Sequence, residues 1–383
     1  MRLVTKLALV FPVLSLTSSV WGGAAWTIEK VDPGGGGMYS SLRLDKNGDA
    51  HVVYLNGAEQ MLKYAFRDHA LGRWFTTAIG TSGGFCSLTL DSKEHPHISY
   101  LDYGTGKLNY AFWDGSRWKK ETLEIRAKEI SFYTSIATDQ NDYPSISFYE
   151  YFGATSDNTL RLRTARWNGS YWEVRTVDDT RGSGKFNSIA MDSAGHPHIA
   201  YADVDYANAT LRYADWNGHA WQPKIIEGVG GSDYSVFSVS LVMDGGDLPH
   251  IAYTNVHQGL VKYMTRSAAG WKSETVDSIQ KVGYPDRNGI ALSEAGIPYI
   301  SYYDEGSGVL KVAHKGAAGW TAEVVDDGFA GFMNSLQIHD GEIWVSYTDG
   351  AGLRVAHRTM EASKSTSSAA STERLEKSQS KKN

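Results

Sequence analysis

Short runs of alternating apolar and polar residues recur along the chain and predict a protein built from β-strands. Ser-Ile-Ala-Met-Asp192, Pro-His-Ile-Ala-Tyr201 and Leu-Arg-Tyr-Ala214 are three such runs in succession. A period of two places alternate side chains on opposite faces of a strand. Two-residue turns such as Asn217-Gly218 join neighbouring runs as hairpins. The pattern predicts an all-β protein.

The same series of runs returns seven times, and a tryptophan marks its period. These tryptophans are 48, 44, 54, 49, 50 and 49 residues apart and lie at Trp26, Trp74, Trp118, Trp172, Trp221, Trp271 and Trp320. Each unit supplies four strands, Ser-Ile-Ala (a), Pro-His-Ile-Ala-Tyr (b), Leu-x-Tyr-Ala (c) and Trp-x-x-Glu-x-Val (d). A repeat of this length with four strands is typical of one propeller blade.

The two ends of the chain predict how the ring closes. The last unit has strand a at Ser335–His339, b at Ile343–Tyr347 and c at Leu353–His357, but no strand d follows. The segment Trp26–Val31 reads as a strand d without its blade. Pairing it with the last unit removes the open sheet edges. We therefore predict a seven-bladed β-propeller of four-stranded antiparallel blades, closed by an N-terminal outer strand that joins the C-terminal blade.

Composition changes at both ends and predicts three segments. Residues 1–25 read as a signal peptide, because a basic start precedes the apolar run Leu7–Leu16 and small residues follow it. Residues 26–359 form the propeller, and the Ser-, Lys- and Glu-rich residues 360–383 form a disordered polar tail. We expect a secreted or periplasmic protein with no transmembrane segment after cleavage.

Net charge and cysteine content restrict the classes of partner and of covalent cross-link that we expect. The net charge of -6 and the pI near 6.1 offer no basic stripe, so we expect no nucleic-acid partner. Cys86 is the only cysteine, which excludes an internal disulfide. The sequence predicts no cofactor and no metal site.

A polar residue follows strand b in every unit, on the face that carries the long d–a and the b–c connections. These residues are Asn56, Asp102, Glu150, Asp203, Asn255, Asp304 and Asp349. At a channel mouth they could bind sugar hydroxyls, coordinate a cation, or divide acid and base duties. Alternatively, each caps its own b–c turn, which we favour for most of them.

The residues that lead into strand a form a second set of ligand-binding candidates. They are Tyr133, Asn187, Arg287, Asn288 and Asn334. Aromatic rings beside amides and an arginine suit a carbohydrate, whose apolar faces stack on rings. Alternatively, the rings plug the channel mouth. On that view the aromatic residues at equivalent places are Tyr39, Phe85, Phe132, Phe186, Phe237 and Phe332.

Two conspicuous motifs have a structural interpretation. One histidine begins strand b in four units, at His51, His97, His198 and His250. These are too dispersed for one metal ion, so we expect structural hydrogen bonds. The run Asp45–Asp49 resembles part of a calcium loop but lacks the downstream bidentate glutamate, so we expect a turn.

The repeat Ser-Ile-Ala-x-Asp, Pro-His-Ile-Ala-Tyr, Leu-x-Tyr-Ala and Trp-x-x-Glu-x-Val-Asp resembles those of exported bacterial propellers grouped with the sialidase-like and propeller-lectin superfamilies. The resemblance covers residues 26 to about 359. For sialidases it implies six blades and three arginines that clamp a carboxylate. Here only Arg287 lies near the predicted mouth, with Arg126 and Arg181 in crossing loops. Sialidase activity is therefore disfavoured.

Two functions from different classes remain. The first is a binding or scaffold propeller that recognises a glycan, or a cell-surface or secreted protein, through the long-loop face. The near-equivalence of the units favours it. The alternative is a glycoside hydrolase or lyase that uses Asp102 with Asp203, or Glu150 with Asp304. Separations of about 5–5.5 Å or 6.5–9.5 Å would suit retention or inversion respectively.

Overall fold

The computed structural model describes residues 25–32, 34–81, 83–123, 125, 129–152, 160–203, 209–229, 236–279 and 287–360. Its regular elements in this part of the chain are 28 β-strands, with no helix and hence none that could cross a membrane. The strands pair antiparallel in seven sheets of four. The predicted all-β fold is confirmed.

The blades are numbered in chain order, and their strands run a to d from the channel outward. Blade 1 contains β2 (Met38–Leu44), β3 (Ala50–Asn56), β4 (Met61–Asp68) and β5 (Arg73–Thr81). Blade 2 contains β6 (Gly83–Leu90), β7 (Pro96–Asp102), β8 (Lys107–Trp113) and β9 (Trp118–Thr122). Blade 3 contains β10 (Glu129–Thr138), β11 (Pro144–Phe152), β12 (Leu160–Trp167) and β13 (Trp172–Asp178). Blade 4 contains β14 (Ser183–Met191), β15 (Pro197–Asp203), β16 (Thr210–Trp216) and β17 (Trp221–Gly228).

The remaining blades follow the same plan. Blade 5 contains β18 (Val236–Met243), β19 (Pro249–Asn255), β20 (Leu260–Ser267) and β21 (Gly270–Ser278). Blade 6 contains β22 (Gly289–Leu292), β23 (Pro298–Asp304), β24 (Val309–Gly316) and β25 (Gly319–Asp326). Blade 7 contains β26 (Phe332–His339), β27 (Glu342–Thr348) and β28 (Leu353–Thr359), with β1 (Thr27–Asp32) as its outer strand.

Blade 7 joins the two ends of the propeller. Strand β1 pairs antiparallel with β28, placing Thr27 opposite His357 and Lys30 opposite Arg354. Sheet hydrogen bonds therefore close the ring, and no blade is left with three strands. Both the predicted number of blades and the predicted closure are confirmed.

A ladder of serine hydroxyls links the inner strands around the channel. The Ser41 Oγ accepts a hydrogen bond from the backbone N–H of Leu88 in the next blade at 3.1 Å, and Ser87 accepts one from Ile136 at 3.2 Å. The same role falls to Ser135, Ser188 and Ser335. The following apolar residue, such as Leu42, is fully buried. The serine bonds to the next blade and the apolar residue after it is buried, and these two roles explain the repeated Ser-Ile-Ala pattern.

The marker tryptophans pack between blades, as the repeat predicts. The ring of Trp118 meets that of Tyr64, on strand c of the preceding blade, edge to face with a centroid distance of 5.1 Å. The same edge-to-face contact joins Tyr110 to Trp172 and Tyr213 to Trp271, and a tilted contact joins Tyr263 to Trp320. The Nε1–H of Trp74 also donates to Glu29 in the preceding blade at 2.7 Å. The Trp-x-x-Glu phrase thus joins neighbouring blades.

Five blade interfaces also contain an interblade triad, which consists of an acid on strand d and a tyrosine and a cation from the next blade. Asp178 accepts hydrogen bonds from the Tyr201 hydroxyl at 2.6 Å and from Arg212 at 2.9 Å. Burial alone would raise the pKa of the Asp178 carboxyl, but hydrogen bonds from Tyr201 and Thr180 outweigh it and hold that pKa below its ordinary value. The other triads are Asp32–Tyr54–Lys63, Glu227–Tyr253–Lys262, Asp277–Tyr302–Lys311 and Asp326–Tyr347–Arg354.

The two interfaces on either side of blade 2 depart from the triad. Between blades 1 and 2, Gly80 occupies the place of the acid, Tyr100 is retained, and Asn109 occupies the place of the cation. Between blades 2 and 3, Phe148 replaces the tyrosine and Arg163 pairs with Glu150, which shares its blade, at 2.6 Å. Glu124, at the acid position there, lies outside the described residues.

The histidines and the acidic run have structural roles, in agreement with the sequence interpretation. His198 Nδ1 lies 2.6 Å from the Tyr213 hydroxyl, and its Nε2 lies 3.3 Å from Asp192. The other three histidines make the same tyrosine contact. The carboxylate of Asp45 accepts two backbone N–H bonds from within its own loop, at 2.8 and 2.9 Å, and so shapes a turn.

The segments predicted at the two ends of the chain remain predictions. Residues 1–24 and 361–383 lie outside the described residues. The signal peptide and the polar tail therefore rest on the sequence pattern alone.

Candidate functional site

The channel mouth is lined by one residue from each blade, a set that we call the mouth ring. A β-bulge interrupts the a–b pairing two residues before the ladder serine, as between Met38 and Ser41 in blade 1. In six blades the bulged residue has a φ of 50–58° although it is not glycine. The mouth ring comprises Tyr39, Phe85, Tyr133, Phe186, Ser238, Arg287 and Met333. Because such left-handed residues are strained, their recurrence marks a backbone shaped to aim these side chains.

The mouth ring corrects the equivalence predicted from aromatic residue type. The left-handed residue of blade 5 is Ser238 rather than Phe237, and that of blade 7 is Met333 rather than Phe332. In blade 3 it is Tyr133 rather than Phe132, whose side chain is outside the described part of the structure. The bulge inserts one extra residue into strand a. Matching aromatic side chains between blades overlooks this residue and can therefore select its neighbour.

Aromatic rings form a continuous wall on one side of the mouth. The centroid of Tyr39 lies 4.5 Å from that of Phe85, and Phe85 lies 5.0 Å from Tyr133. Phe186 extends the wall, at 4.6 Å from Tyr133, and Phe237 packs behind it at 4.8 Å. Four consecutive blades thus contribute tilted or edge-to-face rings, the arrangement that aromatic quadrupoles favour.

The other side of the mouth combines polar and apolar side chains. There Ser238, Arg287 and Met333 complete the mouth ring, and Glu305 also lines the cavity. The cavity has a volume of about 540 Å³, which falls within the usual range for small-ligand sites. The cavity therefore offers a wall of aromatic rings and, on its other side, charged and hydroxyl groups beside Met333 and Phe332.

Arg287 extends across the channel from blade 6 and separates the mouth from the channel below. Its Nη1 donates to the backbone carbonyl of Cys86 in blade 2 at 2.9 Å, and its Nη2 donates to that of Thr134 in blade 3 at 3.3 Å. Burial lowers the pKa of the Arg287 guanidinium. This guanidinium lines both the mouth cavity and the channel, so it can meet a ligand from either side.

The channel below Arg287 has a smaller volume than the mouth cavity and a more polar lining. It encloses about 280 Å³ and is lined by the ladder serines, by Arg43 and by small residues such as Ala137 and Ala190. Arg43 comes two residues after Ser41 on β2, and this spacing places both side chains on the channel face. The channel therefore continues the candidate site inward.

The polar residues after strand b lie at the predicted face but line neither the mouth cavity nor the channel. Asn56 accepts the backbone N–H of Glu59 at 2.9 Å, and Asn255 accepts that of Gln258 at 3.0 Å. Asp102 accepts two backbone N–H bonds from its own turn at 2.8 and 3.0 Å. These three cap their b–c turns.

The other four acids of this set are paired with cations. Glu150 is fully buried and accepts hydrogen bonds from Arg161 at 2.5 Å and from Arg163 at 2.6 Å. The remaining three each bind the cation of their own interblade triad, as Asp203 with Arg212 at 3.0 Å, Asp304 with Lys311 at 2.9 Å and Asp349 with Arg354 at 2.5 Å. These contacts tie the b–c loops to the blade interfaces.

The three candidate asparagines are buried and hold the bulge in shape. Asn187 donates to the carbonyls of Tyr133 at 2.6 Å and Gly184 at 2.9 Å. Asn288 donates to the Thr254 hydroxyl at 2.9 Å, and Asn334 donates to the carbonyl of Gly331 at 3.1 Å. Of the second candidate set, Tyr133, Asn187 and Arg287 line the mouth cavity, and the three asparagines also line the channel below it.

Sequence reasoning missed Arg43 and Glu305, which line the two cavities, and Tyr103, which lies beside the mouth residue Tyr39. Arg43 had a usable signal, because the same place in strand a carries only Thr, Ala, Val or Gln in the other blades. Tyr103 comes from the b–c loop of blade 2, and its hydroxyl lies over Gly84, where a Cβ atom would be only 2.1 Å away. Burial and the neighbouring Tyr39 hydroxyl raise the pKa of Tyr103. No local pattern distinguished Tyr103 or Glu305.

Comparison with known proteins gives fold neighbours only. No family model and no curated protein matches this chain. Among solved structures, an ulvan lyase from a new family of polysaccharide lyases, bound to a GlcA(1-4)Rha3S unit, matches with a TM-score of 0.63 and 14% identity over 86% of this chain and 95% of that one.

Two further structural neighbours have lower scores. A lectin from Aleuria aurantia in complex with a fucose-GlcNAc disaccharide matches with a TM-score of 0.52 and 14% identity, over 76% of this chain and 96% of that one. A Hadza microbial sialidase matches with a TM-score of 0.52 and 10% identity, over 79% and 74%. At these identities the similarity shows a shared propeller fold.

Proposed function

We propose that this protein is a glycan-binding propeller whose ligand lies in the mouth cavity. The observation that carries the proposal is the asymmetry of the mouth ring. Aromatic residues from four consecutive blades line one cavity of about 540 Å³ together with Ser238 and Arg287 from the other side of the mouth. A sugar ring has apolar faces that stack on aromatic rings and hydroxyls that need polar partners, and this cavity offers both.

The preformed backbone supports a binding role. The mouth residues are fixed by the bulge, by the buried asparagines and by the serine ladder, so little order has to be gained when a ligand binds. The lectin and lyase neighbours show that this fold accommodates glycans in other proteins.

The test is a glycan-array screen followed by calorimetric titration of the best ligand with mouth variants. We expect Phe85→Ala and Tyr133→Ala each to weaken binding by about tenfold, because each removes one ring of the wall. Tyr171→Ala is the matched control, since Tyr171 is 62% exposed on the opposite face at the c–d turn. Circular dichroism and thermal unfolding confirm that each variant is folded.

Two outcomes would contradict the proposal. Glycan affinity that survives both mouth substitutions, with intact fold, would remove the mouth cavity from recognition. Capture of a secreted or cell-surface protein through the same face, with no glycan bound, would assign the site to a protein partner.

Glycan cleavage by a hydrolase or lyase is the alternative function. The mixed-polysaccharide assay that tests it measures release of reducing or unsaturated ends. Turnover that is lost in Asp203→Asn or Glu150→Gln, with the fold intact, would favour it. The contacts of these acids weigh against it, because Glu150 is held by two arginines and Asp203 by Arg212.

We further propose that the protein is exported, from its predicted signal peptide, and that it meets its glycan outside the cytoplasm. Fractionation of cells expressing the full chain tests this, and retention of residues 1–25 on a cytoplasmic protein would contradict it.

A further inference from the structure

Two arginines face the channel within one polar cavity. Arg43 extends from β2 of blade 1, and Arg287 comes from the residues just before β22 of blade 6. Both line the same space of about 280 Å³, together with the ladder serines. Two like charges thus share a confined volume at the axis of the propeller.

Neither guanidinium pairs with a carboxylate of the described residues. Arg43 donates only to the carbonyl of Leu42, at 2.7 Å. Arg287 donates only to the carbonyls of Cys86 and Thr134. The contrast is with Arg163, Arg212 and Arg354, which all form ion pairs with buried or partly buried acids.

An arginine side chain is effectively always protonated in a protein, so both groups are cations. Burial, and then repulsion from Arg287, lowers the pKa of Arg43 to about 10, so Arg43 remains a cation at neutral pH. Two confined cations that repel each other destabilise the empty channel, and a bound anion would relieve that repulsion.

We propose that Arg43 and Arg287 form an oxyanion site in the channel, which takes the carboxylate or sulfate group of an acidic sugar whose ring lies in the mouth cavity. The second half of this statement rests on the proposed function. The first half, anion binding by the two arginines, stands without it.

The donor chemistry suits a carboxylate or sulfate. A guanidinium has five N–H groups in a planar fork that matches such anions, and Arg287 uses only Nη1 and Nη2 towards carbonyls. Ala137 and Ala190, at places equivalent to Arg43 in blades 3 and 4, leave room opposite the charges. Because Arg287 lines both cavities, an anionic substituent could reach it while the sugar ring stays against the aromatic wall.

The first experiment uses sodium sulfate alone and does not depend on any glycan. Thermal unfolding of the full chain is followed as sulfate is added, against sodium chloride at equal ionic strength. We expect a saturable rise in the unfolding temperature that sulfate produces and chloride does not. In Arg43→Gln and Arg287→Gln the sulfate concentration for the half-maximal rise should increase about tenfold or more.

Arg117→Gln is the matched control. Its side chain is 72% exposed at a c–d turn, on the opposite face of the propeller. The control should respond to sulfate as the unsubstituted protein does. If Arg287→Gln fails to fold because it loses the contacts to blades 2 and 3, Arg43→Gln still decides the question. A sulfate response that is absent, or that survives in Arg43→Gln, overturns the site.

A second arm separates this inference from the proposed function. Calorimetry compares one oligosaccharide in its acidic form with the same oligosaccharide after its carboxyl groups are reduced to alcohols. We expect the acidic form to bind about tenfold more tightly, and that preference to disappear in Arg43→Gln. Equal binding of both forms refutes the acidic-sugar assignment while glycan binding stands. A sulfate response without any glycan binding refutes the proposed function and leaves an inorganic oxyanion site.

Discussion

The mouth ring and the interblade triads are both repeated around the propeller, but they vary in opposite ways. At five of the seven interfaces the triad keeps the same chemistry, an acid with a tyrosine and a cation from the next blade. In the mouth ring the backbone is kept, with a left-handed residue in six blades, while the side chain changes from aromatic to serine, arginine or methionine. The interblade triads, which repeat the same side chains, hold the blades together and form the frame of the propeller. The mouth ring repeats only its backbone conformation, so the chemistry of its side chains can differ from blade to blade.

The comparison also separates stability from recognition. The triads lie between sheets and do not line the mouth cavity, so we expect their loss to lower the stability of the fold without changing ligand binding. The side chains of the mouth ring line the mouth cavity, so we expect their substitution to change ligand binding more than it changes the stability of the fold.

The largest expected effect is the loss of a triad acid. Asp178→Ala leaves the buried Tyr201 hydroxyl without its acceptor and removes one of the two carboxylates that pair with Arg212, so that Asp203 alone remains, which should cost about 3 kcal/mol of unfolding free energy. Urea unfolding measures it. The adjacent acid Asp179 is exposed and provides the matched control, Asp179→Ala, which should be nearly neutral.

The same substitution has a defined pH dependence. Because the pKa of Asp178 is lowered in the folded protein, its contribution is complete above the unfolded value of about 3.9 and is lost as the pH falls through the folded value. Asp32, in another triad, has a pKa of about 2. The unsubstituted protein should therefore lose stability between about pH 4 and pH 2. A difference between Asp178→Ala and the unsubstituted protein that stays constant across this range would contradict the assignment.

A smaller effect compares a complete interface with the one between blades 1 and 2. Tyr201→Phe deprives Asp178 of a charge-assisted hydrogen bond and should cost about 1–3 kcal/mol. Tyr100→Phe removes the equivalent hydroxyl where Gly80 offers no acceptor, and should change stability by less than about 0.5 kcal/mol. Equal losses in the two variants, measured by urea unfolding, would show that the triads add nothing specific.

The sequence predicted most of the frame and only part of the site. Blade number, strand order and the closure of β1 onto β28 follow from periods of two residues and of one blade, which survive in the sequence whatever the side chains do. The mouth ring depends on a one-residue bulge, and this is why aromatic residue type points to Phe237 and Phe332 whereas the left-handed backbone lies at Ser238 and Met333. Pairing of Glu150 or Asp203 with arginines depends on register between strands, which a single strand does not reveal.

The smallest expected effect is a gain, obtained by building part of the missing triad between blades 1 and 2. A Cβ atom on Gly80 would lie 3.7 Å from the Tyr100 hydroxyl and would meet no other heavy atom within 4 Å. Gly80→Asp therefore places a carboxylate beside a tyrosine that makes no hydrogen bond with the described residues, and it also removes the extra freedom of glycine in the unfolded chain. We expect a rise in unfolding free energy of about 0.5–1 kcal/mol.

Gly80→Ala separates the two contributions to that gain, because it restricts the unfolded chain without adding an acceptor. In the complete design, Asn109→Lys supplies the cation that blade 2 lacks, at the place of Lys63 in blade 1. If the triad is a transferable unit, Gly80→Asp should exceed Gly80→Ala in stability, and the excess should vanish when Tyr100→Phe is added. An excess that persists without the hydroxyl would mean that the tyrosine is not the partner, and that the five triads owe their stability to packing between the sheets rather than to the hydrogen bond.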